Sequence, residues 1–306
     1  LFHISSIWSL WLGLYVGASC VILERFDPRL FLETVQRERI TALGLASPLI
    51  APLVEHPDIR KYDLMSLRAI IYGGAPLPLD ALREGVEVLG NGLYGTYSMT
   101  ETVGPATVLF PQEHVFEGPE EKLRRLRSCG RETLNTEIWV VDEDGRDVSP
   151  GEVGELIIRS DSVTMGYWKQ PLATAEALRE GYLHTGDLAT VDEEGYLYTF
   201  DRKKDTIVTG GKKVSSREVE EVLYIHPSVQ EAAVIGVPHR ELGEAIKAVV
   251  VLKKRRKATP EEMIILCQRN LPRHACPREV QFVGSLPRNP LGKVLKRALR
   301  EKEGSP

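Results

Sequence analysis

Cysteine is scarce: Cys20, Cys129, Cys267 and Cys276 are the only four in 306 residues. No two form a CxxC pair and no histidine stands at metal-ligand spacing from them, which argues against a disulfide framework and a zinc site. A reducing, cytoplasmic setting is the resulting expectation. Charge is missing from Ile4 to Leu23, a stretch long enough to raise the question of a membrane span. Ser5, Ser6, Ser9, Gly13, Gly17 and Ser19 interrupt it, however, and no basic residue precedes it. It reads instead as a buried helix to about Val16, a break at Gly17 and a short strand through Leu23, with no transmembrane segment. An initiator methionine is also lacking, so Leu1 reads as a start inside an element, as in a fragment. No internal repeat or low-complexity tract occurs. Aromatic residues do not interleave the basic run Lys253 to Lys257, which is therefore read as a solvated turn after a strand, with no nucleic-acid partner expected.

What is present is an ordinary globular composition, 42% hydrophobic, in a chain long enough for two domains. The net charge of −4 conceals an asymmetry: 22 basic and 13 acidic residues lie from Asp201 onward, and 17 and 30 before it. A basic C-terminal third suits an anionic ligand such as a polyphosphate or coenzyme A, and it also arises from uneven surface charge alone. Nothing in the sequence specifies an oligomeric state.

Apolar strand-like runs (Cys20 to Leu23, Ile40 to Leu45, Leu67 to Tyr72) alternate with helix-like segments (Pro28 to Arg39, Leu49 to Val54, Leu79 to Leu89), predicting an α/β layer with parallel strands. Between Ser128 and Phe200 the pattern changes to β-branched runs broken by turns at Asp144-Gly145 and Glu194-Gly195, predicting a compact antiparallel or barrel-like subdomain. Beyond it, Ser216 to Ile225 and Pro260 to Asn270 read as helices, and Ala232 to Val237 and Ala245 to Leu252 as strands. The expected fold class is α/β: residues 1–200 form part of a large domain, with an α/β subdomain over 1–120 and a β-rich subdomain over 121–200. Residues 201–306 form a small mobile α+β domain.

Five segments carry chemistry. Tyr72-Gly73-Gly74-Ala75-Pro76 follows a strand and precedes a helix, and glycines there let a flat ring or a phosphate approach the backbone, although such a pair also serves as a plain turn. Tyr94 to Thr102 supplies aromatic faces, hydroxyls and the Glu101 carboxylate, suited to stacking on a base, holding phosphate and holding magnesium, or to capping a helix. Tyr182-Leu183-His184-Thr185-Gly186-Asp187 puts an Asp at a turn, able to accept both hydroxyls of a ribose. Asp201 to Lys213 sets cations beside a flexible glycine pair, and alone reads as a solvated linker. Leu286 to Lys293 presents one lysine on a proline- and glycine-shaped loop ahead of a basic helix, where it could neutralise charge developing at phosphorus.

In this order, the segments resemble the adenylate-forming superfamily of acyl-CoA synthetases, luciferases and peptide-synthetase adenylation domains, over essentially the whole chain. The resemblance implies that Gly73, Gly74 and Ala75 line the adenine site and that Tyr97 stacks on it. It implies that Thr100 contacts phosphate, Glu101 holds Mg2+, Asp187 binds the ribose hydroxyls and Arg202 helps hold the nucleotide. Lys204 would be the hinge, Lys293 would bridge carboxylate and α-phosphate, and Gly210 and Gly211 would flank the coenzyme A channel. The implied reaction is ATP-dependent activation of a carboxylic acid to an acyl-adenylate, then transfer to coenzyme A with release of AMP. No covalent enzyme nucleophile is required. An acyl pocket is expected near Leu45 to Pro48, Gly73 and Gly104, suiting a fatty or an aryl acid. Alternatives are an acyl-adenylate ligase that loads a carrier protein and a noncatalytic nucleotide- or CoA-binding fragment.

The chain departs from the family pattern at several points. Ser98 and Asp201 stand where glycine is usual, and Ser215-Ser216 replaces a common Tyr-Pro before a helix, where serine caps equally well. The family's Ser/Thr/Gly-rich loop ending in Pro-Lys-Gly, which grips the β and γ phosphates, lies N-terminal to everything present.

Overall fold

The computed structural model describes residues 3–75, 77–289 and 294–304. The chain divides into two compact units: Leu1–Thr185 with Ala189–Thr199, and Gly186–Leu188 with Phe200–Pro306.

In the first unit, helices α1 (Ile4–Tyr15) and α2 (Pro28–Glu38) lead into β1 (Ala42–Ala46), α3 (Ile50–Val54), β2 (Ala69–Gly73), α4 (Leu79–Leu89) and β3 (Leu93–Ser98). The local reasons are legible. Asp27 accepts from the Leu30 amide at 2.9 Å and Pro28 opens α2, which ends at Arg39 in the left-handed region at φ 49°, a start and stop that follow the capping rules. Strands β1, β2 and β3 run parallel, with Ala46 opposite Gly73 and Gly73 opposite Thr96. They are followed by antiparallel β4 (Pro105–Leu109), helix α5 (Glu120–Arg125) and β5 (Arg131–Glu132), giving the order β1-β2-β3-β4-β5. Leu32, Ile50, Leu53, Ile70, Leu82 and Leu93 fill the core of this layer, each worth about 1.5–3 kcal/mol of burial.

The parallel α/β layer expected from the alternation is therefore present, with two corrections. Residues 18–23 form no strand, and α1 buries no residue: Trp11 is 64% and Tyr15 89% exposed. Apolar composition alone predicts burial, but only one side of α1 can meet the sheet, where Ser9 Oγ lies against Gly44, and Trp11, Leu12, Leu14 and Tyr15 stay exposed on the rest.

Strands β6 (Thr136–Val141) and β7 (Gly154–Ser160), helix α6 (Pro171–Ala177), β8 (Leu178–Arg179), β9 (Tyr182–Val191) and β10 (Leu197–Arg202) build the β-rich part, with sheet order β10-β9-β7-β6 and β8 paired to β9. Leu156, Ile158, Leu183 and Leu197 fill its core. Asp187, expected at a turn, sits inside β9. Gly186 at φ 68° supplies a kink inside the strand that the sequence pattern alone does not distinguish from a turn.

The second unit continues with β11 (Ile207–Thr209), β12 (Lys212–Val214), α7 (Ser216–Tyr224), β13 (Val229–His239), β14 (Gly243–Leu252), α8 (Pro260–Asn270), β15 (Glu279–Phe282) and α9 (Lys296–Lys302). The sheet runs β12-β11-β14-β13 with β15 parallel to β14. Strands β13 and β14 are buried on both faces: Val234, Ile246, Ala248 and Val250 pack with Val219, Leu223 and Met263, and Ala233, Ile235, Val249 and Val251 pack with Leu286 and Leu299. That two-sided burial is why their sequences read as continuous apolar runs. Gly210 and Gly211, expected to be flexible, close the β11–β12 hairpin with φ 56° and 75°, the two consecutive left-handed positions of a type I′ turn.

Candidate active site

Open parallel sheets bind ligands beyond the carboxyl ends of their strands. In the first unit those ends are Ala46, Gly73 and Ser98. The Ser47 hydroxyl, just after β1, donates to the Gly73 carbonyl at 3.2 Å, and the Thr96 hydroxyl donates to the Tyr72 carbonyl at 3.0 Å. Three strand ends are thereby cross-linked by short side chains. A Cβ on Gly73 would lie 2.6 Å from the Thr96 carbonyl oxygen, so only glycine fits there, whereas Gly74, at φ 81°, has nothing within 4 Å of its missing Cβ. One glycine closes the sheet and the next opens a surface. Pro76 lies outside the described residues.

Beneath these ends the Tyr72 phenol, shielded from solvent, meets His114 Nε2 at 2.9 Å, and it fits because Gly95 has no side chain: a Cβ there would be 2.7 Å from the phenolic oxygen. His114 Nδ1 lies 3.3 Å from the Pro111 carbonyl, which can only accept, so Nδ1 carries the proton and Nε2 accepts from Tyr72. Burial pushes the His114 imidazole below its ordinary pKa and pushes the Tyr72 phenol up.

Beyond β3 the chain makes a tight turn. Tyr97 is half-buried, its ring packed against the core of the β-rich part, and Thr100 is exposed. Thr102 is buried, with its hydroxyl within hydrogen-bond distance of the Met99 amide and of the Met99 and Gly104 carbonyls at 2.9–3.1 Å. This clamp holds Val103 at φ 62°, a conformation that costs a β-branched residue about 1–3 kcal/mol. The same turn projects Glu101, whose carboxylate accepts from the Tyr167 hydroxyl at 2.7 Å and whose carbonyl accepts from the Thr164 amide at 2.8 Å. Burial, then the bond to Glu101, raises the Tyr167 phenol to about 12, so it remains a donor. Gly73 thus ends one strand, with Gly74 and Ala75 just beyond it, and Tyr97, Thr100 and Glu101 end or follow its paired neighbour.

In the second unit Asp187 is buried and paired with Arg202, Oδ1 to Nε 3.1 Å, and the Lys203 amide donates to the Gly186 carbonyl at 2.8 Å. Lys204 is exposed in the turn after β10, and Gly210 and Gly211 form the hairpin described above. Lys293 lies outside the described residues. Pro290, Leu291 and Gly292 lie outside them too; flanking this segment, Arg288 bridges to Val294, and the Leu295 amide donates to the Pro287 carbonyl at 2.8 Å.

Two participants escaped sequence reading. Tyr167 stands 66 positions from Glu101 with no local signal. Asp201, a departure from the family pattern, accepts at Oδ2 from the Ser216 amide and hydroxyl, each at 2.6 Å, anchoring the start of α7, where Ser215 accepts from the Glu218 amide at 3.3 Å. Both residues are recognisable only once distant segments meet.

The family model described as AMP-binding enzyme matches residues 1–168, and that described as AMP-binding enzyme C-terminal domain matches residues 218–293. The chain is similar to a feruloyl-CoA synthase of Amycolatopsis sp, 35% identical over 99% of this chain and 60% of the relative. It is also similar to the medium/long-chain-fatty-acid–CoA ligase FadD8 of Mycobacterium tuberculosis, 38% identical over 93% of this chain and 50% of the relative. Among solved structures, the o-succinylbenzoate coenzyme A synthetase MenE of Bacillus subtilis, in complex with ATP and magnesium ion, superposes with a TM-score of 0.86. That match is 30% identical over 99% of this chain and 59% of MenE. The chain spans between half and three fifths of the length of these relatives.

Proposed function

We propose that this chain, which belongs to the AMP-binding enzyme family, is the larger part of an ATP-dependent acid–thiol ligase that converts a carboxylic acid to its coenzyme A thioester with release of AMP and pyrophosphate. The observation that carries the reading is the pairing of two strand ends: Gly73 and Gly74 without side chains on one, Thr100 and Glu101 on the other.

The open face at Gly74 receives the adenine, with Tyr97 against it, and Thr100 holds phosphate. Glu101 supplies one carboxylate, the kind of single protein ligand that Mg2+ takes alongside substrate phosphates and water. When bound, the ion would neutralise phosphate charge. Tyr167 orients the Glu101 oxygens. Asp187 pairs with Arg202, and the pair together holds the ribose and the nucleotide. Lys293 spans the acid carboxylate and the α-phosphate, so that carboxylate oxygen attacks phosphorus as pyrophosphate leaves. Lys204 is the hinge on which the second unit turns, after which Gly210 and Gly211 flank the thiol of coenzyme A as it attacks the acyl carbon and AMP departs. The acid is fatty or aryl, the two classes named for the relatives above, and its pocket adjoins Leu45 to Pro48, Gly73 and Gly104. A cytoplasmic location rests on the four free cysteines. Among the described residues no helix is long and apolar enough to cross a membrane.

The test is AMP release by the complete enzyme over a panel of fatty and aryl acids. Release that requires acid, ATP and coenzyme A together supports the proposal. Release that requires a carrier protein in place of coenzyme A redirects the second step, and nucleotide binding without any release contradicts catalysis.

A further inference from the structure

Alternation along the three parallel strands of the first unit leaves one face of their sheet nearly bare. Leu43, Leu45, Ile70, Tyr72 and Leu93 point into the core shared with α2, α3 and α4, so the residues between them make the other face. There the register sets Gly44 beside Ile71, Ala46 beside Gly73 and Gly73 beside Thr96. Gly44 and Ala46 are exposed and Gly73 is half-buried. Helix α1 packs on β1 from this side: a Cβ on Gly44 would lie 3.0 Å from Ser9 Oγ, and a Cβ on Gly104 would lie 3.0 Å from Trp8 Nε1, with two further atoms of the indole at 3.6 and 3.7 Å. Gly104 precedes Pro105, which pairs with Ser98 at the carboxyl end of β3, and its carbonyl meets the Thr102 hydroxyl in the turn that projects Glu101. The Trp8 indole therefore stands at the ligand end of the sheet, with its N–H edge against a residue that has no side chain to cover it.

That N–H has no hydrogen-bond partner among the described residues, and it is not one of their fully buried orphan donors, so it still meets solvent. The hydroxyl protons of Ser47 and Thr96, at the same strand ends, are already given to the Gly73 and Tyr72 carbonyls. An indole nitrogen donates and cannot accept, and a tryptophan covered by a neighbour ordinarily finds an acceptor for it. A ligand lying along Gly44, Ala46 and Gly73 under α1 covers the N–H and has to bring that acceptor. The strip itself offers peptide planes without side chains, a flat surface that suits a planar ring, and the indole adds an aromatic contact at its end. We propose that Trp8 is a specificity-determining residue for the acid: its N–H donates to an oxygen substituent on the ring of an aryl acid. This rests on the placement of the acid pocket given above. A neutral hydrogen bond exchanged with water favours the substituted acid by about 3- to 10-fold. A fatty acid in the same place would cover the donor without pairing it, which costs at least as much.

The experiment measures kcat/KM for AMP release by the complete enzyme, with ATP and coenzyme A saturating, on cinnamic acid, its 3-methoxy and 4-methoxy derivatives, and decanoic acid. A methoxy oxygen accepts and cannot donate, so it isolates the indole N–H. The wild-type enzyme is expected to prefer at least one methoxy acid to cinnamic acid by about 3- to 10-fold, and to prefer it to decanoic acid. Trp8→Phe keeps an aromatic side chain and deletes the donor, and should bring the methoxy-to-unsubstituted ratio to within about two-fold of one. A thermal melt shows whether that variant folds. Where it does not, Gly104→Ala, which sets a methyl against the same N–H, gives the same readout and the same expectation. A wild-type enzyme with no methoxy preference, or one that favours decanoic acid, overturns the proposal. So does a wild-type ratio that survives in the variant, including one in which every acid is slowed equally, since Trp8 then only packs α1 on the sheet. Release that needs no acid, or none with any acid, defeats the ligase reading itself; acid-dependent release without the methoxy preference defeats only the assignment of Trp8.

Discussion

Replacing each of the two adjacent glycines by alanine separates packing from ligand binding. At Gly73 the new Cβ would sit 2.6 Å from both the Thr96 carbonyl oxygen and its hydroxyl. Ordinary contact begins near 3.4 Å, so the backbone of β3 must retreat by the difference, about 0.8 Å, against its pairing with β2. Overpacking of this kind costs about 1–3 kcal/mol. At Gly74 the methyl meets nothing within 4 Å, and the cost is the left-handed backbone at φ 81°, about 1–2 kcal/mol. The folding penalties overlap, but the ligand effects do not. The Gly74 methyl occupies the open face assigned to adenine, so nucleotide affinity should fall by about 10-fold or more, equivalent to about 1.4 kcal/mol. Denaturant unfolding and calorimetric titration with AMP read the two quantities. Gly74→Ala binding AMP as tightly as wild type would refute the adenine site, and Gly73→Ala unfolding at the wild-type midpoint would refute the packing argument.

Three further outcomes are expected. Tyr72→Phe leaves His114 Nε2 buried without its donor and should lower unfolding free energy by about 1–3 kcal/mol in urea melts at pH 8. Because burial depresses the His114 pKa below its ordinary 6.5, the unfolded chain binds the proton more readily, so this site's contribution is full above pH 6.5 and is lost as pH falls below it. A contribution that grew on acidification would contradict the neutral assignment. Tyr167→Phe removes the donor that orients Glu101 and should raise the Mg2+ concentration for half-maximal activity of the complete enzyme by about 10-fold, with an unchanged requirement counting against Glu101 as the ligand. Asp201→Ala strips α7 of its anchor and should cost about 2 kcal/mol in thermal unfolding, while an unchanged melt would mean that Ser215 alone suffices.

Helices α2, α4 and α8 were legible because their caps and apolar spacing are local: Asp27-Pro28, Leu79 to Leu89 around Leu82 and Gly85, and the capping box of Thr259 with Glu262. The α/β class followed from their alternation with apolar runs. Strand β3 was not legible as a strand, since its glycine, threonine and tyrosines make sense only beside Tyr72 and His114, which come from elsewhere in the chain. The kink at Gly186 was mistaken for a turn because one left-handed glycine looks alike in either setting. The order of the glycine, hydroxyl and carboxylate segments was readable in advance, and the contacts that hold them, Ser47 to Gly73 and Tyr167 to Glu101, were not, because each joins residues far apart in sequence.

The central claim, ATP-dependent activation of a carboxylate, is tested most directly by incorporation of labelled pyrophosphate into ATP by the complete enzyme, with coenzyme A absent. Incorporation that depends on a fatty or aryl acid and disappears in Lys293→Ala is the predicted result. Incorporation that needs no acid, or none with any acid offered, would contradict the account.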